Sequence, residues 1–149
     1  MRLRITVALA AAAVSFCSLT QAAGESDERA YTEGSVVNVS FIRTEPGKFN
    51  EYMKYLQTTY KSLMEEEKKA GLIVNYSIFA ARPRRPDDAD LILTIEFKNM
   101  AALDNLQTKT EPLQRKVWAT LSKADEASAA RGKLRTELGS ELLRELKLK

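Results

Sequence analysis

Apolar and polar positions alternate along Ser35–Arg43 (SVVNVSFIR), with Val37, Val39 and Phe41 on one side and Asn38 and Ser40 on the other. A period of two in β-branched residues predicts a strand whose apolar side faces the core. Past Pro46-Gly47 the period lengthens. Phe49, Tyr52, Met53, Leu56, Tyr60, Leu63 and Met64 fall on one helical stripe. Glu65 to Lys69 is its expected solvated end, and Gly71 its stop. Leu72–Arg82 (LIVNYSIFAAR) and Leu91–Lys98 (LILTIEFK) predict two further strands. In the second, Leu91, Leu93, Ile95 and Phe97 oppose Ile92, Thr94 and Glu96. Pro83 and Pro86 between them lack the N–H a ladder needs, so the segment is a turn and the strands an antiparallel hairpin.

Asn99 suits the N-cap of a second helix carrying Met100, Leu103 and Leu106. Pro112 is expected to interrupt it, with Thr110 capping a fresh start that aligns Leu113, Val117, Trp118 and Leu121. Lys123 to Gly132 continues as exposed helix. Glu141–Lys149 (ELLRELKLK) reads two ways. As a helix it aligns Leu142, Leu143 and Leu146, which propensity favours. As a strand it aligns Leu142, Leu146 and Leu148, which the element order favours. With that strand the fold is α+β, a ferredoxin-like β-α-β-β-α-β arrangement with a four-stranded antiparallel sheet and both helices on one face. The other face, expected to carry Ile42 and Ile92, is partly apolar and calls for a partner. A second copy laid sheet to sheet would supply one.

The first residues change the compartment. Arg2 and Arg4 precede the run Val7–Val14 and then small residues up to Ala23, the order of a secretory signal peptide. Residues 1–23 are therefore expected to be removed, 24–34 to form a flexible arm, and 35–149 to be one domain. Phe16 stands where a lipid anchor on Cys17 would want a small residue, so the cysteine is read as leaving with the leader. A cysteine-free mature chain fits the periplasm or the extracellular medium. The full chain of 149 residues has a formal net charge of +3, and losing Arg2 and Arg4 brings it close to neutral. Nothing there points to nucleic acid or, after leader removal, to a membrane.

Candidate chemistry is narrowed by what is missing. The chain has no histidine, and its single cysteine is Cys17. That excludes the usual zinc sites and histidine-activated nucleophiles. The six glycines are scattered and form no phosphate loop, so no metal and no cofactor are expected. Arg82, Arg84 and Arg85 either grip an anion or, with Asp87, Asp88 and Asp90, form a self-neutralising hairpin tip. Asn38, Ser40 and Glu96, with Tyr76 and Thr94, are expected to share the face away from the helices and to line a pocket or the barrel interior there, with Tyr76 and Ser40 as candidate ligand contacts. Glu96, with Asn38 beside it, is the candidate general base, the alternative being a carboxylate paired at a dimer seam. Trp118, Tyr52 and Tyr60 either stack on a flat ligand or belong to the core.

A short strand, a helix opening on Pro46, Gly47, Phe49 and Tyr52, a strand hairpin and a second helix resemble the dimeric α+β barrel superfamily. The antibiotic-biosynthesis-monooxygenase-like proteins belong to it. The resemblance is architectural and covers about Ser35 to Leu121. It implies a homodimer, and a cavity for a small hydrophobic or aromatic molecule between sheet and helices. Haem-degrading members place a histidine on the iron, which this chain cannot do. The resemblance leaves a binding protein of unassigned activity, a cofactor-independent monooxygenase-like enzyme, or a structural and interaction module.

Overall fold

The structure is a computed structural model, and it describes residues 29–149. The expected leader, with Cys17, lies outside the described residues. The elements are β1 (Tyr31–Thr44), α1 (Phe49–Tyr55), a π-helical turn (Leu56–Tyr60), α2 (Lys61–Lys69), β2 (Asn75–Ala80), β3 (Leu91–Phe97), a 3-10 turn (Met100–Leu103), α3 (Leu106–Trp118), α4 (Leu121–Gly132) and β4 (Arg135–Leu148). The strands form one antiparallel sheet in the order β2-β3-β1-β4, the ferredoxin-like arrangement.

Right-handed helical dihedrals persist through Tyr55, Leu56, Tyr60 and Lys61, so α1, the π turn and α2 form one continuous rod. Gly47 (φ +75°) turns the chain into the rod and Gly71 (φ +70°) turns it out, conformations glycine adopts without steric cost. The apolar stripe of the rod buries Tyr52 and Leu56 against Ile42, Leu91 and Leu93. Further along, Met64 meets Val36, Ile73 and Phe97. Removing such side chains from water stabilises the fold by about 1.5 to 3 kcal/mol each.

The register corrects the expected faces of β1. Val36 pairs with Phe97, Asn38 with Ile95, Ser40 with Leu93 and Ile42 with Leu91. Directly paired residues share a face, so Asn38, Ser40 and Ile42 lie on the helix side. Val37, Val39 and Phe41 lie on the bare side, opposite Glu96, Thr94 and Ile92. Both sides of β1 carry apolar residues. Alternation separates the two sets, but pairing with Leu91, Leu93 and Phe97 decides which set is inside. Val39 is buried by its sheet neighbours and belongs to neither core cluster.

At the ends one expectation changes and one open choice is decided. Residues 31–34, expected in a flexible arm, are strand. The last residues are strand as well: β4 runs from Arg135 to Leu148 along β1. β3 meets β1 only from Val36 to Ile42, so Tyr31–Glu33 and Leu146–Leu148 continue as a two-stranded ribbon beyond the sheet. Arg144 and Glu33 form a 2.7 Å ion pair there, and Ser35 N donates to Glu145 at 3.3 Å. Along β4, Leu142, Leu143, Leu146 and Leu148 are left exposed.

The second half also departs from expectation. Asn99 does cap, its side chain accepting from Ala102 N at 3.1 Å, but it caps the 3-10 turn. The break follows at Asn105, whose φ is +54°. α3 then runs through Pro112 without stopping, and buried Thr110 donates to Gln107 O at 3.0 Å instead of opening a helix. Thr120 caps α4, accepting from Lys123 N at 3.2 Å, so the alanine-rich stretch is a separate helix. Among the described residues no helix is long and apolar enough to cross a membrane.

Candidate functional site

The sheet separates the residues that alternation had grouped. Glu96 lies on the bare face beside Val37 and Asn75, with Thr94 and Ser77 nearby in a shallow depression of about 100 Å³. Asn38, Ser40 and Tyr76 are on the opposite, helix-covered face. Glu96 and Asn38 therefore cannot act on one substrate atom from this chain, and the expected trio does not form.

Tyr76 turns its ring edge-on to Tyr60, with centroids 6.0 Å apart, and donates to Glu65 at 2.8 Å. Tyr60 Oη is buried with no hydrogen-bond partner among the described residues. Burial, and then the neighbouring Tyr52 and Glu67, push the Tyr60 hydroxyl well above the ordinary phenol range. Glu67 was expected on a solvated helix end, yet it is 7% exposed. Burial alone raises its carboxyl to about 7, and no cation offsets it. Glu67 stands seven residues after Tyr60, two turns along the rod, on the same side. In the sequence it is hidden inside the run Glu65-Glu66-Glu67-Lys68-Lys69. The one signal was its phase, three residues past Met64 on the apolar stripe.

A second feature lies between the rod and α4. Tyr52 and Tyr55 stack with centroids 6.0 Å apart and planes at 9°. Arg135 stands 5.8 Å from the Tyr52 ring centre, and Arg131 stands 5.9 Å from that of Tyr55. Tyr52 is core, and burial lifts its hydroxyl to about 12 against the lowering pull of Arg135 and Arg131. Tyr55 instead reaches a groove made of two depressions that share Tyr55 and Arg131. The wider, about 420 Å³, is walled by Ala127, Ala130 and Leu134 and rimmed by Lys48 and Lys133. The narrower, about 220 Å³, holds Trp118 and Leu63, with Asp125 at its edge. Trp118 is thus at a cleft, as its expected ligand role requires, while Tyr52 lies behind Tyr55 and supports it.

At the hairpin tip Arg85 finds a carboxylate, whereas the side chains of Arg82 and Arg84 make no ion pair among the described residues. Asp88 accepts from the backbone N–H groups of Arg84 and Arg85 at 3.1 and 3.0 Å and pairs with the Arg85 guanidinium at 3.2 Å. Asp87 pairs with Arg43 at 2.9 Å, and Asp90 caps the end of β1 by accepting from Thr44 N at 2.9 Å. Among the described residues no three acidic side chains stand together as a metal site.

No family model matches the chain, and no curated protein matches it. Among solved structures, a dimeric ferredoxin-like protein from an uncultured marine organism aligns with 79% of this chain and 90% of its own, at 8% identity and a TM-score of 0.47. HapK from Hahella chejuensis aligns over 74% of this chain and 91% of its own, at 11% identity and a TM-score of 0.50. At such low identity the shared property is the fold, and the chain has a ferredoxin-like α+β fold.

Proposed function

We propose that the protein is an exported, homodimeric α+β-barrel protein that binds a small hydrophobic or aromatic molecule. The observation that carries the reading is the groove between the rod and α4, where Tyr55, Trp118 and Leu63 meet a wall of alanines. Aromatic and aliphatic side chains on a concave surface, with polar groups among them to fix orientation, are what such ligands need. Dimerisation is supported by the bare sheet face, which carries Val37, Val39, Phe41, Ile92 and Phe79 together with the exposed Leu143 of β4. Export to the periplasm or beyond rests on the leader-like first residues and on the absence of cysteine from the rest of the chain. The test is a titration of the purified chain with naphthalene derivatives. Fluorescence of Trp118, the chain's single tryptophan, reports on the groove. Saturable change with a matching rise in melting temperature is the expected result. No change with any aromatic compound removes the reading.

A further inference from the structure

Arg131 is the common wall of both depressions, and its charge is unanswered. Its guanidinium donates to Tyr55 Oη at 3.4 Å and to Ser128 Oγ at 3.2 Å, both neutral oxygens. Its central carbon lies over the Tyr55 ring, 5.9 Å from the ring centre. No carboxylate among the described residues pairs with it. A guanidinium carries five N–H donors, so three remain for a ligand.

The surrounding charges point the same way. Lys48 is occupied by Glu51 at 2.7 Å, which removes the acid of the wider depression from play. Lys133, on the same rim, has no acidic partner among the described residues. The wider depression therefore presents two unneutralised cations, Arg131 and Lys133, beside the apolar wall of Ala127, Ala130 and Leu134. Asp125 lines only the narrower depression and makes no ion pair with Arg131. A half-buried arginine held by an aromatic ring and a hydroxyl is pre-organised, so little rotamer entropy is lost when an anion arrives.

We propose that this groove is a binding site for a small aromatic carboxylate. Its carboxylate meets Arg131 and Lys133, and its ring lies along Tyr55 and the alanines of α4. The inference rests on the aromatic-ligand reading above and adds the charge that selects among aromatic ligands.

The experiment compares 1-naphthoate with its neutral isostere 1-naphthamide on the full chain. Calorimetry and Trp118 fluorescence are the readouts. Naphthoate is expected to bind at least tenfold more tightly, since its carboxylate makes charge-assisted hydrogen bonds that the neutral amide cannot. Arg131→Gln is expected to abolish that preference, and the exposed Lys133→Gln to weaken naphthoate several-fold with the fold undisturbed. Arg131→Lys, which keeps the charge and loses the fork, falls between. Equal binding of both compounds overturns the carboxylate inference and leaves the aromatic reading standing. Binding of neither overturns both. Naphthoate binding that survives in Arg131→Gln and Lys133→Gln also overturns the proposed site.

Discussion

Tyr52 and Tyr55 form a nearly parallel pair, 6.0 Å between ring centres, closed at its two ends by Arg135 and Arg131. The stack ties the start of the rod to the end of α4 and the start of β4. Tyr52 is 1% exposed and Tyr55 is half-buried. Tyr52→Ala is expected to destabilise the chain by about 3 to 5 kcal/mol, the cost of an emptied aromatic core position. Tyr55→Ala should cost clearly less, and should weaken ligand binding more than Tyr52→Phe does. Urea denaturation with ligand titration on the same variants checks both. Equal destabilisation by the two alanine variants would contradict the burial difference.

Glu67 gives a pH signature. Its folded carboxyl titrates at about 7, raised by burial from the ordinary value of 4.5. The folded state thus holds the proton more tightly than the unfolded chain. The stabilising contribution is fully present below about 4.5 and is lost as pH rises through about 7. Glu67→Gln, an isosteric side chain that stays neutral, should melt higher than the parent at pH 8, by on the order of 3 kcal/mol. The difference should shrink towards zero near pH 4.5. Paired melting curves from pH 4 to 9 measure it. A constant offset across that range would sink the assignment.

The unpartnered hydroxyl of Tyr60 makes a separate prediction. A buried polar atom without a partner costs roughly 1 to 3 kcal/mol, so Tyr60→Phe should stabilise the chain by about 1 kcal/mol or more. The gain should appear in chemical denaturation at any pH between 5 and 8. A loss of stability would mean that the hydroxyl meets a bound water or a ligand.

For the assembly, Leu143 offers a clean probe, because it is 50% exposed in the single chain and paired with Val37 on the bare face of the sheet. Leu143→Glu should cost the single chain little, about 0.5 kcal/mol. It should nonetheless dissociate the proposed dimer at micromolar concentration, because a carboxylate would be buried at the seam. Sedimentation velocity of parent and variant distinguishes the cases. Identical monomeric profiles for both would remove the dimer.

Much of the fold was legible in the residues. The period-two runs around Val37 and Leu93, the helical stripe from Phe49 to Met64 and the proline-rich turn at Pro83 are local patterns, so they predicted the order of elements. Helix and strand were indistinguishable for Leu142, Leu146 and Leu148, because leucine serves both. Pairing with all of β1 settled that choice. The candidate site was less legible. Trp118 does reach a cleft, whereas Asn38 and Glu96 fall on opposite faces, and Glu67 and Arg131 went unnoticed among charged neighbours.

The residues alone determined the periodicities, the turns and the absence of histidine chemistry, since these depend only on neighbours along the chain or on composition. Which side of β1 is inside, how deep Glu67 lies and what stands beside Arg131 were decided by the tertiary structure. Burial and charge pairing arise from residues far apart in sequence, and only the register of strands and the seating of helices brings those residues together.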